Sequence, residues 1–255
     1  MAQITIVIPC YNQGRFLGCC LNSLIAQSYT DWKCIIIDDG STDNTQETAF
    51  YWLARDKRIS YKKISNSGVC IARNTGVYLA GTEYVLPLDA DDYLSRNYIE
   101  EAISVINKNT NVKVAFGRLI VFGSQSELSP RMKEYSFDKL KKENFIHCSG
   151  VYRKSDFIEI GGYDMNMVHG WEDWEFWINM LKRGGVAEEI ESCFLFYRRN
   201  VVASRNNNLL ASQKKMDIMY NYIYNKHSYK NNSINQTIIL FKIKSIIKKF
   251  TYCKW

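Results

Sequence analysis

Over the first hundred residues, solid apolar runs alternate with stripes at helical spacing. Ile4, Ile6, Val7 and Ile8 form a run closed by Pro9, which predicts a first strand. Residues 15–27 carry Phe16, Leu17, Leu21, Leu24 and Ile25 on one helical side. Residues 33–38 predict a second buried strand, ending in Asp38-Asp39-Gly40. Asp43 opens a second helix, with Gln46 three residues later in capping-box spacing. A third strand is expected at 59–64, a helix at 69–80 closed by Gly81, and a fourth strand at 84–88 running into Asp89. Such alternation implies a mostly parallel sheet covered on both faces.

The pattern then loosens. Residues 97–107 read as a helix with Ile99, Ala102, Ile103 and Ile106 inward, and 112–122 as one or two strands. The polar stretch 123–145 reads as a loop or an acceptor-facing insertion, and Ser155 as an N-cap. A helix is expected at 173–183, stopped by Gly184-Gly185, and a late strand at 193–197. Trp174, Ile178 and Leu181 recur at helical spacing and are expected in the core. No internal repeat is evident, although 205–236 is rich in Asn.

With 255 residues the chain can form one large domain or two small ones. Hydrophobic residues at 46% and charged residues at 23% exclude a disordered or fibrous chain. No apolar run approaches the roughly 18 residues of a membrane span. The N-terminus has no basic segment and reads directly into a strand, so no signal peptide is expected. The eight cysteines are scattered without a CxxC pair, which points to buried, reduced thiols in a cytoplasmic protein. The net charge of +7 is local: seven lysines and no acidic residue lie between Lys226 and Trp255. The remaining 26 basic residues balance the 26 acidic ones, so the body offers no general nucleic-acid surface.

Candidate chemistry sits where two strands end. In open parallel sheets, ligands bind beyond the carboxyl ends of the strands. Asp38-Asp39 follows the second strand, and Asp89-Ala90-Asp91-Asp92 follows the fourth. The first pair could equally be turn residues. In the second cluster, three carboxylates within four residues repel one another and call for a cation, with hard oxygen donors favouring Mg²⁺ or Mn²⁺. No Walker A loop, HExxH or GxSxG motif is present.

Four segments then occur in a known order: IVIPCYNQGRFL, IIIDDGSTDNT, NSGVCIARNTGVYLAGTEYVLPLDADDYL and GGYD…GWEDWEFWINML. Together they resemble the family 2 nucleotide-sugar glycosyltransferases over residues 4 to about 198. The resemblance implies an α/β GT-A fold. Its Rossmann-like nucleotide-binding half, 1–95, has a central, mostly parallel sheet fused to an acceptor-binding and catalytic-base half, 96–200. A basic helical C-terminal tail, 201–255, follows.

The resemblance also implies roles. Pro9, Tyr11, Asn12, Asp39, Arg73, Asp89, Ala90 and Asp91 would bind the nucleotide-sugar. Asp39 would accept the imide N–H of uracil, and Arg73 would approach the base or the diphosphate. Asp91 would bind the metal, Mn²⁺ or Mg²⁺, with Asp89 on the ribose or on metal-bound water; a one-residue slip would substitute Asp92. Asp173, beside Glu172, would be the general base, at a helix N-terminus that favours its ionised form. Attack in line with the leaving group implies inversion. Trp171 would stack on a sugar ring, and His147 or His169 would line the acceptor site, although a lone histidine is more often structural.

The family's late Tyr-Arg-x-His pattern here reads Tyr197-Arg198-Arg199-Asn200, so Arg198 and Arg199 are candidates for neutralising the diphosphate. In the tail, Ile239, Ile243, Ile246, Ile247 and Phe250 fall at helical spacing against Lys242, Lys244, Lys248 and Lys249. That reads either as a helix on an anionic membrane surface or as one packed on the domain. The leading reading is a UDP-sugar-dependent enzyme acting on a glycan or lipid-linked acceptor in surface polysaccharide or cell-envelope glycan synthesis, with no nucleic-acid partner. The alternative is a non-catalytic nucleotide-sugar-binding module on the same fold.

Overall fold

A computed structural model describes residues 3–123, 126–132, 134–199 and 213–227. They fall in two compact units, Met1–Met219 and Tyr220–Trp255, and residues 3–199 belong to the first.

Its N-terminal half alternates β1 (Ile4–Cys10), α1 (Gly14–Ile25), β2 (Trp32–Asp38), α2 (Thr45–Leu53), β3 (Ile59–Lys63), α3 (Val69–Leu79) and β4 (Tyr84–Pro87). These strands are parallel in the order β3-β2-β1-β4. Every residue of β1 is buried, because it is central and covered on both faces. Pro9 sits where the ladder to β4 stops. Cys10 O faces β2, where it accepts Asp39 N, so by alternation the Pro9 nitrogen faces β4. Hydrogen bonding on that side has already ended with Leu88 N on Val7 O. Helix α3 lies unusually close to the sheet at Gly76, where a Cβ would come within 2.2 Å of Val7 Cγ1 and 3.2 Å of Ile37 Cγ1.

The C-terminal half adds β5 (Tyr93–Leu94), α4 (Tyr98–Lys108), β6 (Val112–Gly123), β7 (Glu127–Leu128), α5 (Phe137–Leu140), β8 (Val151–Arg153), α6 (Lys154–Ile160), α7 (Glu172–Leu181) and β9 (Val186–Arg199). A further helix, α8, spans Gln213–Lys226. The sheet continues from β4 through β8, β6 and β9 to β5, with β7 on β6. The mixed pairing is antiparallel at β4–β8, β8–β6 and β9–β5, and parallel at β6–β9. Helix α7 is enclosed: Trp174, Phe176, Trp177, Ile178, Met180 and Leu181 are all at most 4% exposed. Each such side chain contributes on the order of 1.5–3 kcal/mol by leaving water.

Several local expectations are corrected. The late strand is not confined to 193–197 but runs from Val186 to Arg199, because the length of β6 gives it a partner throughout. Ser155 is not an N-cap; Arg153 is, and Ser155 lies inside α6. The capping box at Asp43 does not form. Asn44 precedes α2, and Asp43 instead accepts Thr45 N at 3.0 Å and Gly14 N at 3.0 Å, tying the starts of α1 and α2 together. The polar stretch 123–145 contains β7 and α5.

The described cysteines are all free thiols, and only Cys19 is exposed. No helix among the described residues is long and apolar enough to cross a membrane. Asn200, Cys253 and the basic tail beyond His227 lie outside the described residues.

Candidate active site

The ends of β1, β2 and β4 lie side by side, so the segments that follow them share one edge of the sheet. Beyond β1, Tyr11 is 49% exposed and Asn12 takes a left-handed conformation (φ 53°). That bend turns Asn12 Oδ1 onto the loop after β2, where it accepts Thr42 N at 2.8 Å, while Asn12 N donates to Ser41 Oγ at 3.0 Å. Asn12 therefore organises the rim of the edge.

The two carboxylates after β2 divide their work. Asp38 is fully buried and accepts Ser41 N at 2.7 Å and Tyr61 OH at 2.5 Å, so it is a structural turn residue. Asp39 accepts Ser67 N at 2.7 Å on one oxygen and Gly68 N at 2.8 Å on the other. These bonds orient it and leave each oxygen a second lone pair for a ligand.

The cluster after β4 is more strongly differentiated. Asp89 accepts Arg73 Nη2 at 2.7 Å on Oδ1, the Cys148 thiol points at Oδ2 from 3.5 Å, and its side chain stays 31% exposed. Ala90 is buried between the acids. Asp91 has its carboxyl raised to about 6 by burial and then by the charge of Asp89, against the opposing pull of Arg198 and Arg15. Asp92 is buried and accepts Arg198 N at 2.8 Å, and its Oδ2 has no partner. Burial, then Asp91 and Asp89, push its carboxyl far above the ordinary range. Arg198 also donates Nε to Asp91 O at 3.0 Å, and its guanidinium lies 4.4 Å from the ring centres of both Phe16 and Phe122.

This crowding of carboxyl groups is the donor chemistry of a hard divalent cation. Among the described residues no group of three or more His, Cys, Asp or Glu is arranged to hold a metal. Mg²⁺-type ions commonly use one or two carboxylates and complete their shell with phosphate oxygens and water, so Asp91 and Asp89 fit. Asp92, buried and accepting Arg198 N, is less open to solvent than either.

Arg73 departs from expectation. It was expected on the base or the diphosphate, but it is 1% exposed and gives its fork to two carboxylates. Nη2 holds Asp89, and Nη1 holds Glu172 Oε1 at 2.9 Å. Burial opposes its charge, yet the acids facing it, Asp89 foremost, keep it protonated well beyond the ordinary arginine range. The bridge brings the first turn of α7 within one guanidinium of the donor-side cluster.

Beside Glu172, Asp173 is half-buried; its Oδ1 accepts Trp174 N at 2.8 Å and its Oδ2 accepts Asn144 Nδ2 at 3.2 Å. Trp171 is the N-cap of α7 and adopts φ 61°, a strained backbone for a bulky residue that costs about 1–3 kcal/mol. Its ring meets Trp174 edge-on at 5.5 Å. Trp174 is core as expected, anchored by Nε1 on Leu140 O at 2.6 Å.

His147, expected at an acceptor site, is tied to the framework instead. Its Nε2 lies 2.8 Å from Gly117 O, which can only accept, so Nε2 carries the proton. Nδ1 is buried without a partner, and burial lowers the pKa to about 4. The unfolded chain protonates first as pH falls below about 6.5. Stability is thus fully present above that value and is lost towards pH 4, by up to about 3 kcal/mol. His147→Gln, which keeps a donor for Gly117, is expected to flatten the urea midpoint over this window relative to wild type. Parallel profiles would refute the assignment.

Sequence reasoning missed Cys148, Asn144 and Arg15. Cys148 and Asn144 stand in no motif, Arg15 lies in the first family segment without a role attached to it, and only the fold brings all three to the acids.

The pattern of the family described as "Glycosyl transferase family 2" matches residues 5–201. The UDP-Glc:alpha-D-GlcNAc-diphosphoundecaprenol beta-1,3-glucosyltransferase WfgD of Escherichia coli is 26% identical over 229 residues, covering 87% of each chain. GlyA of Streptococcus pneumoniae, a longer glycosyltransferase, is 37% identical over 98 residues, which are 38% of this chain and 14% of that one. The chain thus spans only a part of some relatives. Among solved structures, S. aureus TarS 1–349 in complex with UDP-GlcNAc superposes with a TM-score of 0.70 at 15% identity, over 88% of this chain and 71% of that one. The mannosyltransferase PcManGT of Pyrobaculum calidifontis, in complex with GDP-Man and Mn2+, gives 0.65 at 16% identity, over 91% and 66%. Both likenesses show the same fold, a curled α/β sheet with the GT-A arrangement.

Proposed function

On the premise that this chain belongs to glycosyl transferase family 2 and is a glycosyltransferase, we propose that it transfers a sugar from a UDP-sugar to an alcohol with inversion. The acceptor is a glycan or a lipid-linked glycan of the cell envelope, and the enzyme works at the inner face of the cytoplasmic membrane. The observation that carries this reading is the Arg73 bridge. It sets Asp89, on the donor side, and Glu172, beside the proposed base, on one guanidinium. The UDP-sugar named for WfgD and the UDP-GlcNAc bound to TarS support the choice of donor. The diphosphoundecaprenol acceptor of WfgD supports the acceptor class.

In this reading the uracil sits on the rim formed by Pro9, Tyr11 and Asn12. Asp39, fixed by Ser67 and Gly68, accepts the imide N–H, which a cytosine ring lacks there. Asp91 and Asp89 would hold Mn²⁺ or Mg²⁺ beside the diphosphate, with the charges of Arg198 and Arg15 bearing on Asp91. A bound divalent cation supplies positive charge against the leaving diphosphate, an effect of roughly several kcal/mol. Asp173 takes the proton of the attacking hydroxyl on one of its carboxylate oxygens. Trp174 N on Oδ1 and Asn144 Nδ2 on Oδ2 keep its carboxylate aimed. Trp171 offers its ring to the acceptor sugar.

A thermal-shift series with UDP, GDP and CDP, each with and without Mn²⁺, tests the donor. At about a hundredfold excess over Kd, UDP with Mn²⁺ is expected to raise Tm by on the order of 5–10 °C. Equal shifts from all three nucleotides would remove the role given to Asp39. Binding without hydrolysis of any UDP-sugar would favour the non-catalytic module.

A further inference from the structure

Residues 161–171, between α6 and α7, form no regular element, yet both ends are held by neighbouring residues of α3. At the start, Asn74 Oδ1 accepts Tyr163 N at 2.8 Å, and Asn74 Nδ2 donates to Tyr163 O at 2.8 Å. The amide side chain thus pairs with one backbone residue as a strand would. At the end, Arg73 holds Glu172 at 2.9 Å.

Gly162 makes the close approach possible. Its φ is +79°, and a Cβ there would lie 2.8 Å from Asn74 Oδ1 and 2.8 Å from Phe157 Cζ. Between the two anchors Met167 is buried, while Met165 and Val168 are 62% and 66% exposed. Arg73 reaches Asp89 with its other nitrogen. One helix turn therefore grips the donor-side cluster and both ends of the segment that leads into Asp173.

We propose that Asn74 is a positioning residue which, paired with Arg73, clasps segment 163–172 to α3 and so fixes Trp171 and Asp173 against the donor. This rests on the reading of Asp173 as base. Asn74 touches neither substrate nor reacting atoms and acts through Tyr163. The two residues should have separable effects. Arg73 serves both sides of the cleft, so Arg73→Lys should weaken donor binding and turnover together. Asn74 serves one side, so its loss should spare the donor.

Hydrolysis of UDP-glucose and UDP-GlcNAc, with water in the place of the acceptor, and UDP–Mn²⁺ titration together make the test. For Asn74→Ala, the UDP affinity and the donor KM are expected to stay within about twofold of wild type while kcat falls about tenfold, since small misplacement of a reacting group is costly. Asn74→Asp keeps the acceptor for Tyr163 N and should recover part of the rate. Gly162→Ala, which crowds Asn74 and Phe157 alike at a φ of +79°, should reproduce the split together with a lowered Tm. A lowered Tm with unchanged kcat, or parallel losses in kcat and UDP affinity, would overturn the clasp alone. Wild-type protein that neither binds UDP nor hydrolyses either donor would overturn the donor reading, and the clasp with it.

Discussion

Asp173→Asn is expected to slow sugar transfer by about 10²–10⁴, or roughly 3–5 kcal/mol of barrier, while UDP–Mn²⁺ affinity stays within about twofold. The substitution conserves volume and can keep the bond from Trp174 N on its side-chain oxygen. It removes the ability to take a proton, which matters only as the acceptor oxygen bonds to the anomeric carbon. Asp173 is half-buried at the start of a helix whose later residues are enclosed, so the framework should survive. Transfer rates on the variant, set beside calorimetric UDP titration, decide it. A loss below tenfold, or an equal loss of UDP affinity, would move the base elsewhere.

Asp91→Asn should be comparably severe by a different route. The Mn²⁺-dependent part of UDP binding should vanish, and transfer should fall by about 10³, the rate equivalent of several kcal/mol of charge stabilisation. The same variant, without ligand, should melt higher by about 2–6 °C. Asp91 is held at a carboxyl pKa of about 6 by burial and by Asp89, so ionising it at neutral pH strains the folded state. A neutral amide relieves that strain, as expected where a site is built for a charged ligand rather than for stability. Differential scanning calorimetry with and without UDP–Mn²⁺ reads both effects. A variant that melts lower and still responds to Mn²⁺ would place the cation on another residue.

Arg73 shows where reading the chain as text runs short. Its position on the helix after Gly68 is plain in the sequence, as is its aptness for anions. That it would meet Glu172, 99 positions later, depends on how α3 and α7 pack, and no local pattern encodes that. The same holds for His147. Its ring type suggested a ligand, whereas the fold gives it one backbone carbonyl and a buried, unpartnered nitrogen. The long β9 was half visible for a related reason. Its first half, with Glu188, Glu189 and Glu191, looks polar along the chain, and only the matching length of β6 makes it strand.

The alternation of short apolar runs with helical stripes was sufficient to set β1 to β4, their mostly parallel pairing, and the strand ends at which Asp39, Asp89 and Asp91 lie. Those features follow from local propensity and from the burial of strands covered on both faces, which a one-dimensional pattern records directly. Tertiary structure alone decided which acids remain available to a ligand. Asp38 and Asp92 are as acidic in the text as Asp39 and Asp91, but only the fold closes Asp38 off with Ser41 N and Tyr61 OH and buries Asp92 against Arg198 N, while Asp39, also buried, is held by one backbone N–H on each oxygen. Burial and hydrogen-bond partnership belong to groups distant in sequence, so they arise only when the chain has closed on itself.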